Sequence, residues 1–424
     1  VRSNAARFLL AILLALFASA ASANAQNTPA SGPVHSEVFP GTIPPQPRPS
    51  LDPLFSPDPL NFFFGPYNDM KRKLDQNDGL RAEGSYTMFN QFATQTLSPR
   101  NDEFAGRLDV ALDWTLLHFG ECDTGQVVAL FRSSENIGMP QSFSLSDETG
   151  SIMGINNLHP SGHQIADSLN ILYYRQTFFD CKFAISLGKL HPNSWIDLSP
   201  LADNETRQFM AIPFTTNLAD NGMGLWSPGV ALELNMTPRW YAHSVVVSSE
   251  GKTQTDALDT LGHGNFYEAV ETGCRFGEMN SDYAGNVRLT GYHIEQPGAT
   301  ATAPKHEGFG GSIGFDQGIG AGWATFGRYG HSEKGESKIR DFATLGIVNQ
   351  HPFHRRSDMF GLAGSYCHPS AEDIREEQLY EAFYRIKVTD SIEFSPDVQW
   401  LVHPAFQPGV NNLFVLGARL RFLF

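Results

Sequence analysis

The sequence predicts an all-β protein: a sixteen-stranded antiparallel transmembrane β-barrel with short periplasmic turns and long extracellular loops. Three observations carry this. From Gly79 onward, apolar and polar side chains alternate with a period of two, the period of a strand with one greasy face. Beyond the first thirty residues no apolar stretch approaches the ~18 residues that a membrane helix needs. Charged residues are only 18% of the 424, while Phe numbers 32 and Tyr 12. Soluble globules carry about 25% charge, and disordered chains lack such aromatic content. The acidic balance, 45 Asp+Glu against 30 Lys+Arg, leaves no basic face for a nucleic-acid partner.

The N-terminus reads as an export signal. Arg2 and Arg7 precede an apolar run over 8–18, and Ala23-Asn24-Ala25 supplies a small-x-small cleavage pattern. Residues 1–25 are therefore expected to be a signal peptide. Residues 26–60 hold ten prolines, which suit neither a helix nor a central strand. The segment 26–78 is expected to be a proline-rich periplasmic arm with one short helix over 69–74, and 79–424 the barrel.

Alternation places the strands near 79–93, 104–119, 125–133, 168–179, 181–190, 228–236, 239–248, 264–273, 286–294, 308–316, 320–330, 340–349, 358–366, 377–388, 391–403 and 413–424. An even count suits a single-chain barrel. The strand with Phe104, Leu108, Val110, Leu112 and Trp114 on one face carries Arg107, Asp109 and Asp113 on the other. Short connections at 122–124, 180–181, 237–238, 317–318 and 389–390 alternate with long ones at 134–167, 191–227, 249–263, 295–307 and 367–376. The turns at 274–285 and 350–357 break this rule by their length. Aromatics such as Trp240, Tyr241, Tyr380, Trp400 and Phe424 fall at or near strand ends, as in an aromatic belt.

An open edge would leave backbone groups unpaired in hydrocarbon, so the strands must close. Sixteen strands enclose a lumen. Parity turns Arg81, Glu83, Arg107, Asp109, Asp113, Glu233, Arg328, Glu381, Arg385, Lys387, Glu393, Asp397, Arg419 and Arg421 toward it. In the opposite frame each of these charges would meet lipid at considerable cost.

Glu381-Ala382-Phe383-Tyr384-Arg385, Phe394-Ser395-Pro396-Asp397-Val398-Gln399, His403-Pro404 and Leu416-Gly417-Ala418-Arg419-Leu420 with terminal Phe424 together resemble the carbohydrate-selective porin family. Gly188-Lys189-Leu190 and Pro228-Gly229-Val230-Ala231-Leu232-Glu233 are similar to it as well. The resemblance runs loosely over 80–424 and is sharpest over the last fifty residues. It implies a glucose-permeable pore of the cell outer membrane that passes small sugars passively and catalyses nothing. The chain departs from the pattern in its long proline-rich lead-in, its four cysteines, and His191-Pro192-Asn193-Ser194-Trp195, where an acidic residue is expected close to Lys189. Which sugar is preferred is therefore not carried over.

A sugar pore works by weak, repeated contacts. Charged groups hydrogen-bond hydroxyls, and aromatic faces cover the apolar face of a pyranose. The expected solute contacts are Arg81, Glu83, Arg107, Asp109, Lys189, Trp195, Glu233, Arg328, Glu381, Arg385, Glu393, Asp397, Arg419 and Arg421. The long loop 191–227, with Trp195, Phe209, Phe214 and Trp226, is expected to fold inward and narrow the bore, with 134–167 as the competing constriction. A general or anion/organic-acid diffusion porin shares every one of these cues. An outer-membrane barrel enzyme would need a serine–histidine pair near the rim, which no local pattern supplies. No cofactor or metal is expected: no His-Glu-x-x-His and no phosphate loop occurs. The expected partners are small sugars as solutes and outer-membrane lipids, and the residues fit a monomer and a homotrimer equally. Cys122 and Cys181 fall in neighbouring periplasmic turns, where an oxidising compartment permits a disulfide that the sequence leaves open, while Cys274 and Cys367 map to opposite rims.

Overall fold

Strands that are apolar on one face and charged on the other need a lipid side and a wet side, and closure provides both. The computed structural model describes residues 53–56, 58–120, 122–159, 168–220, 222–251, 258, 260–277, 284–296, 306–333 and 337–424. The expected signal peptide and most of the proline-rich arm lie outside them. The strands are β1 (Leu80–Ala93), β2 (Asp102–His118), β3 (Thr124–Asn136), β4 (Ser168–Phe178), β5 (Phe183–Leu190), β6 (Ser227–Asn235), β7 (Trp240–Ser248) and β8 (Phe266–Phe276), followed by β9 (Gly285–Gln296), β10 (His306–Gly320), β11 (Trp323–Glu333), β12 (Ile339–Asn349), β13 (Met359–Pro369), β14 (Glu377–Lys387), β15 (Ile392–Val402) and β16 (Asn412–Leu423). Each pairs antiparallel with its chain neighbours. The barrel closes between β1 and β16, with Thr87 opposite Arg421 and Phe89 opposite Arg419.

The exposure pattern is the inverse of a soluble protein's. Leu289, Leu345 and Leu416 are 59%, 61% and 55% exposed, while Arg107, Arg288 and Arg419 are each 1% exposed. An outer surface built from leucine and aromatic side chains fits hydrocarbon. Among the described residues no helix is long and apolar enough to cross a membrane.

Two sequence expectations need correction. The helix is longer than 69–74: α1 spans Asn61–Asp78 and contains Pro66. The prolines before it read as extended chain, yet Pro66 lies in the second turn of the helix, past the first turn where proline is tolerated without loss of a hydrogen bond. Gly79, at φ 65, ends α1 in the left-handed conformation, and its N–H returns to the Asp75 carbonyl. The helix docks at the closing seam: the Phe64 ring stacks on Phe424 at 6.0 Å, and Trp114 Nε1 donates to the Asp78 carbonyl at 3.1 Å. Upstream, the N–H groups of Leu54 and Phe55 donate to the carbonyls of Lys387 and Val388 at 3.2 and 3.0 Å.

The second correction is the β10–β11 turn. It lies at Ala321-Gly322 rather than at 317–318, because β10 continues through a register irregularity between Gly318 and Gly320. Ala321 and Gly322 have φ of 55 and 78 and make the reversal. The long connection before β13 is real and holds a helical turn, Pro352–His354.

Cys122 and Cys181 are disulfide-bonded, with their Cα atoms 5.5 Å apart, and join the β2–β3 turn to the β4–β5 turn. Cys274 and Cys367 are free. In β5, Gly188 has φ 146, and a Cβ there would lie 2.3 Å from the Leu172 carbonyl oxygen. The Gly188-Lys189 pair thus marks a close approach of β4 to β5.

Candidate functional site

The connection 191–226 carries Pro192, Pro200 and Pro213 among Asp, Asn, Ser and Thr. Such a chain cannot satisfy its own backbone groups, so it needs partners wherever it is buried. The barrel wall supplies them. Trp195 is 2% exposed; its Nε1 donates to Glu233 at 3.1 Å and its ring lies 5.4 Å from that of Tyr173. The Asp197 N–H donates to Glu271 at 2.7 Å, and its carboxylate lies 2.9 Å from Arg328 Nε and 3.5 Å from Arg288 Nε. Arg328 also donates to the Phe214 carbonyl at 2.7 Å and pairs with Asp203. Arg288 pairs with Asp316. Glu381 accepts the N–H groups of Met210 and Ala211 at 2.5 and 2.8 Å. Arg419 donates to the carbonyls of Glu205 and Gln208.

Around these polar clamps lies an apolar cluster. The Phe209 ring sits 5.1 Å from Phe214, 5.6 Å from Phe326 and 4.9 Å from Phe383. Phe326 and Phe383 point inward from the wall, so the loop brings its own cover for them.

The other expected constriction, the β3–β4 connection, also enters the barrel. Glu377 accepts N–H groups from Ile152, Met153 and Ala405 at 3.1, 3.2 and 2.8 Å. Glu103 accepts from Leu145 N–H at 2.8 Å and meets His159 Nδ1 at 2.6 Å. Gln399 donates to the Ile155 carbonyl at 3.0 Å. The two loops share the lumen rather than compete for it. Residues 160–167 of the second lie outside the description.

This arrangement divides the sequence-predicted residues. Arg107, Lys189, Trp195, Glu233, Arg328, Glu381, Asp397 and Arg419 point inward as parity requires, but they are buried beneath the loops. The expectation that they stand in an open water column is corrected: the inserted loops cover them. Trp195 in particular packs against β4 and β6. Arg81, Glu83, Arg385 and Arg421 keep partial exposure, and Asp109 and Glu393 lie beneath partly exposed arginines. Parity could also have found Glu271, Arg288, Arg132 and Arg175, which fall on the inner face of β8, β9, β3 and β4.

Two groups of side chains keep partly exposed members, Arg132 and Trp226 in one and Arg207, Arg385 and Arg421 in the other. On β2 and β3, Asp109 receives Arg107 at 3.0 Å and Arg132 at 2.7 Å, and Glu205 from the loop meets Arg107 at 2.7 Å and Arg132 at 3.8 Å. Beside them the half-buried Trp226 ring lies parallel to His191, 4.0 Å away with 3° between planes, and the Arg132 guanidinium stands 5.6 Å from the Trp226 centroid. Burial pushes the His191 pKa down to about 4, so the imidazole is neutral at pH 7, and its Nδ1 faces the Leu225 carbonyl at 2.8 Å. Next to this group Arg175 holds Glu233 through two bonds of 3.0 Å. Toward the short-turn rim, Arg421 meets Glu393 at 3.0 Å, with Arg385 and Arg207 each 3.8 Å from the same carboxylate. The inner wall here is fixed by charge pairs, with no nucleophile–base pair assembled in either group.

A family model described as carbohydrate-selective porin, OprB family, matches residues 139–424. The chain is 27% identical over 271 residues to Porin AaxA of Chlamydia felis, a match covering 60% of this chain and 58% of that one. The match thus spans a little over half the length of that curated relative. The high-pH structure of Pseudomonas putida OprB superposes with a TM-score of 0.70 at 13% identity, covering 84% of this chain and 97% of that one. Its low-pH structure gives a TM-score of 0.52 at 14% identity, covering 85% and 98%. The fold is common to both. With its family model matched from the first long inward loop to the last strand, the chain belongs to the carbohydrate-selective porin, OprB family.

Proposed function

We propose that this protein is an outer-membrane porin through which glucose and related monosaccharides diffuse passively. Its short turns and α1 face the periplasm and its long loops face outside. The observation that carries this reading is the group formed by Arg132, Asp109, Glu205 and Trp226. Carboxylate and guanidinium groups at fixed positions offer acceptors and donors to the equatorial hydroxyls of a pyranose. A planar aromatic surface beside them covers its C–H face. Each contact is weak in water, so a sugar is drawn in and released down its gradient. In this reading Asp109 contributes an acceptor, and Arg107 acts one layer back by holding both carboxylates. Arg81 and Glu83 extend the polar path toward the periplasmic mouth.

The test is single-channel current through the refolded protein during titration with glucose. Glucose blocks the current in a concentration-dependent way, and Trp226→Ala raises the half-blocking concentration about 5- to 30-fold, as loss of ~1–2 kcal/mol of ring contact requires. An open channel indifferent to sugars refutes the reading and leaves a general diffusion pore.

A further inference from the structure

Of the charged groups in the lumen, one is not used by the sugar path and is out of balance. Arg207, from the inward loop, and Arg385 and Arg421, from β14 and β16, converge on the single carboxylate of Glu393. Their side chains retain 35%, 11% and 15% exposure. Arg385 donates to the carbonyls of Arg207 and Ser357 at 3.3 and 3.4 Å, whereas Glu393 is the partner of Arg421. Three guanidiniums present about fifteen N–H donors, and the Nε atoms of all three are buried without an acceptor. Arg419, the next inward arginine of β16, has an unpaired Nε as well but differs in that its Nη1 and Nη2 donate to loop carbonyls.

The neighbouring field does not cancel the excess. Glu83 lies within reach of Arg207 and Arg421 but also faces Lys71 and Arg81, and Asp75 pairs with Arg81 at 3.1 Å. At the centre three bases (Arg207, Arg385, Arg421) face one acid (Glu393), and the outer acids Asp75, Glu83, Asp109 and Asp113 are shared with Lys71, Arg81, Arg107, Arg132 and Arg175. In a chain of net charge -15, this runs against the overall composition. Like charges gathered in a partly desolvated place repel one another, so such a cluster is completed by an anion. Planar forks suit the oxygens of a phosphate or carboxylate.

We propose that Arg207, Arg385 and Arg421 form a subsite in the short-turn half of the lumen for the anionic group of a charged monosaccharide, a phosphate ester or a sugar carboxylate. The proposal rests on the sugar-porin reading and extends its substrates to charged sugars. A neutral sugar would meet the Trp226 group first and pass the arginines. A charged one would be held by both.

The experiment is current block by glucose, glucose 6-phosphate and gluconate, measured on the intact chain and on Arg421→Gln and Glu393→Gln. Arg421→Gln removes a charge that touches neither inward loop. The anions are expected to block the unsubstituted channel at concentrations at least tenfold below glucose. In Arg421→Gln that ratio falls about tenfold, and in Glu393→Gln it rises. Block by both anions, or by only one of them, supports the subsite and shows whether phosphoryl or carboxylate oxygens are taken. Anions that block no better than glucose overturn it, as does a ratio that neither substitution moves. Failure of glucose alone to block refutes the neutral-sugar path and, if anion block persists, supports the arginine subsite.

Discussion

Phe209→Ala tests whether the inward loop sets the bore. Phe209 is fully buried and touches both its own loop, through Phe214, and the wall, through Phe326 and Phe383. Truncating a buried phenylalanine costs ~3–5 kcal/mol, partly as lost transfer energy and partly as the cavity left behind. At about 1.4 kcal/mol per decade, the ratio of docked to undocked loop falls by ~10²–10³·⁵. The neighbouring clamps remain: Glu381 on the N–H groups of Met210 and Ala211, and Arg328 on the Phe214 carbonyl. Charge-assisted bonds of this kind contribute ~1.5–3 kcal/mol each, so the loop stays docked on average and opens more often. The barrel ladder is untouched, because the loop lies outside it. Single-channel recordings should then show frequent upward conductance steps, and exclusion with graded polyethylene glycols should show a larger size limit, while heat resistance in detergent is retained. A quiet channel of unchanged conductance and unchanged size limit would refute the argument that this loop is the constriction.

Removing the rim disulfide with Cys122→Ser and Cys181→Ser releases a constraint over a sequence separation of 59. The chain-entropy model assigns such a closure ~4 kcal/mol, so the double variant should lose heat resistance while single-channel conductance stays the same. Glu377→Ala leaves the N–H groups of Ile152, Met153 and Ala405 without their acceptor; at ~1–3 kcal/mol for each orphaned group, the β3–β4 loop should become protease-sensitive in the folded barrel. Burial lifts the Asp220 carboxyl to about 7 against the donation from Tyr267 and Gly222. The docked loop holds that proton and the undocked one releases it above pH ~4, so docking loses stability as pH rises from about 4 through 7, by an amount on the order of 4 kcal/mol. Buried neutral His191 acts with the opposite sign below pH 6.5, so recordings of Asp220→Asn across pH 4–8 should show noise that no longer grows toward alkaline pH and instead grows in acid.

Much of this architecture is written in side-chain parity. Alternation places Arg107, Glu381 and Arg419 on the inner face and Leu416 and Trp400 on the outer one, since a slip of one residue would move every charge into lipid. Parity cannot say what covers an inner face. That information lies in a weaker signal, the apolar residues among the charges. Near the long-loop end of β14, β15 and β16, Leu379, Leu401, Leu413 and Val415 point inward and are fully buried. Nearer the short turns the same strands carry Arg385, Glu393 and Arg421. A strand apolar on both faces at one end must be covered from inside there, and the loops do that. Trp195 was legible as a loop aromatic, but its partner Glu233 lies 38 residues away in sequence, beyond any local pattern. The extent of α1 was hidden by Pro66 for a similar reason: its docking surface, Phe424, lies at the other end of the chain.

The inner-wall charges therefore have two origins that sequence alone merges. Some exist because a proline-bearing loop brought into a barrel needs donors and acceptors for its backbone, and these are covered once the loop is in place. Others are left facing the passage. Glu205 belongs to both kinds: its carbonyl accepts from Arg419 while its carboxylate meets Arg107 and Arg132. The carboxylate proposed for the sugar path is held at its height by an arginine clamped on its own backbone. Bore width and chemical preference are thereby tied at one residue, and a substitution at Arg419 should alter which solutes pass although its guanidinium touches none of them. Arg419→Met keeps the bulk of the stem but frees the carbonyls of Glu205 and Gln208. If glucose block in that variant matched the unsubstituted channel, the wall and the loop would be independent and the coupling argued here would be wrong.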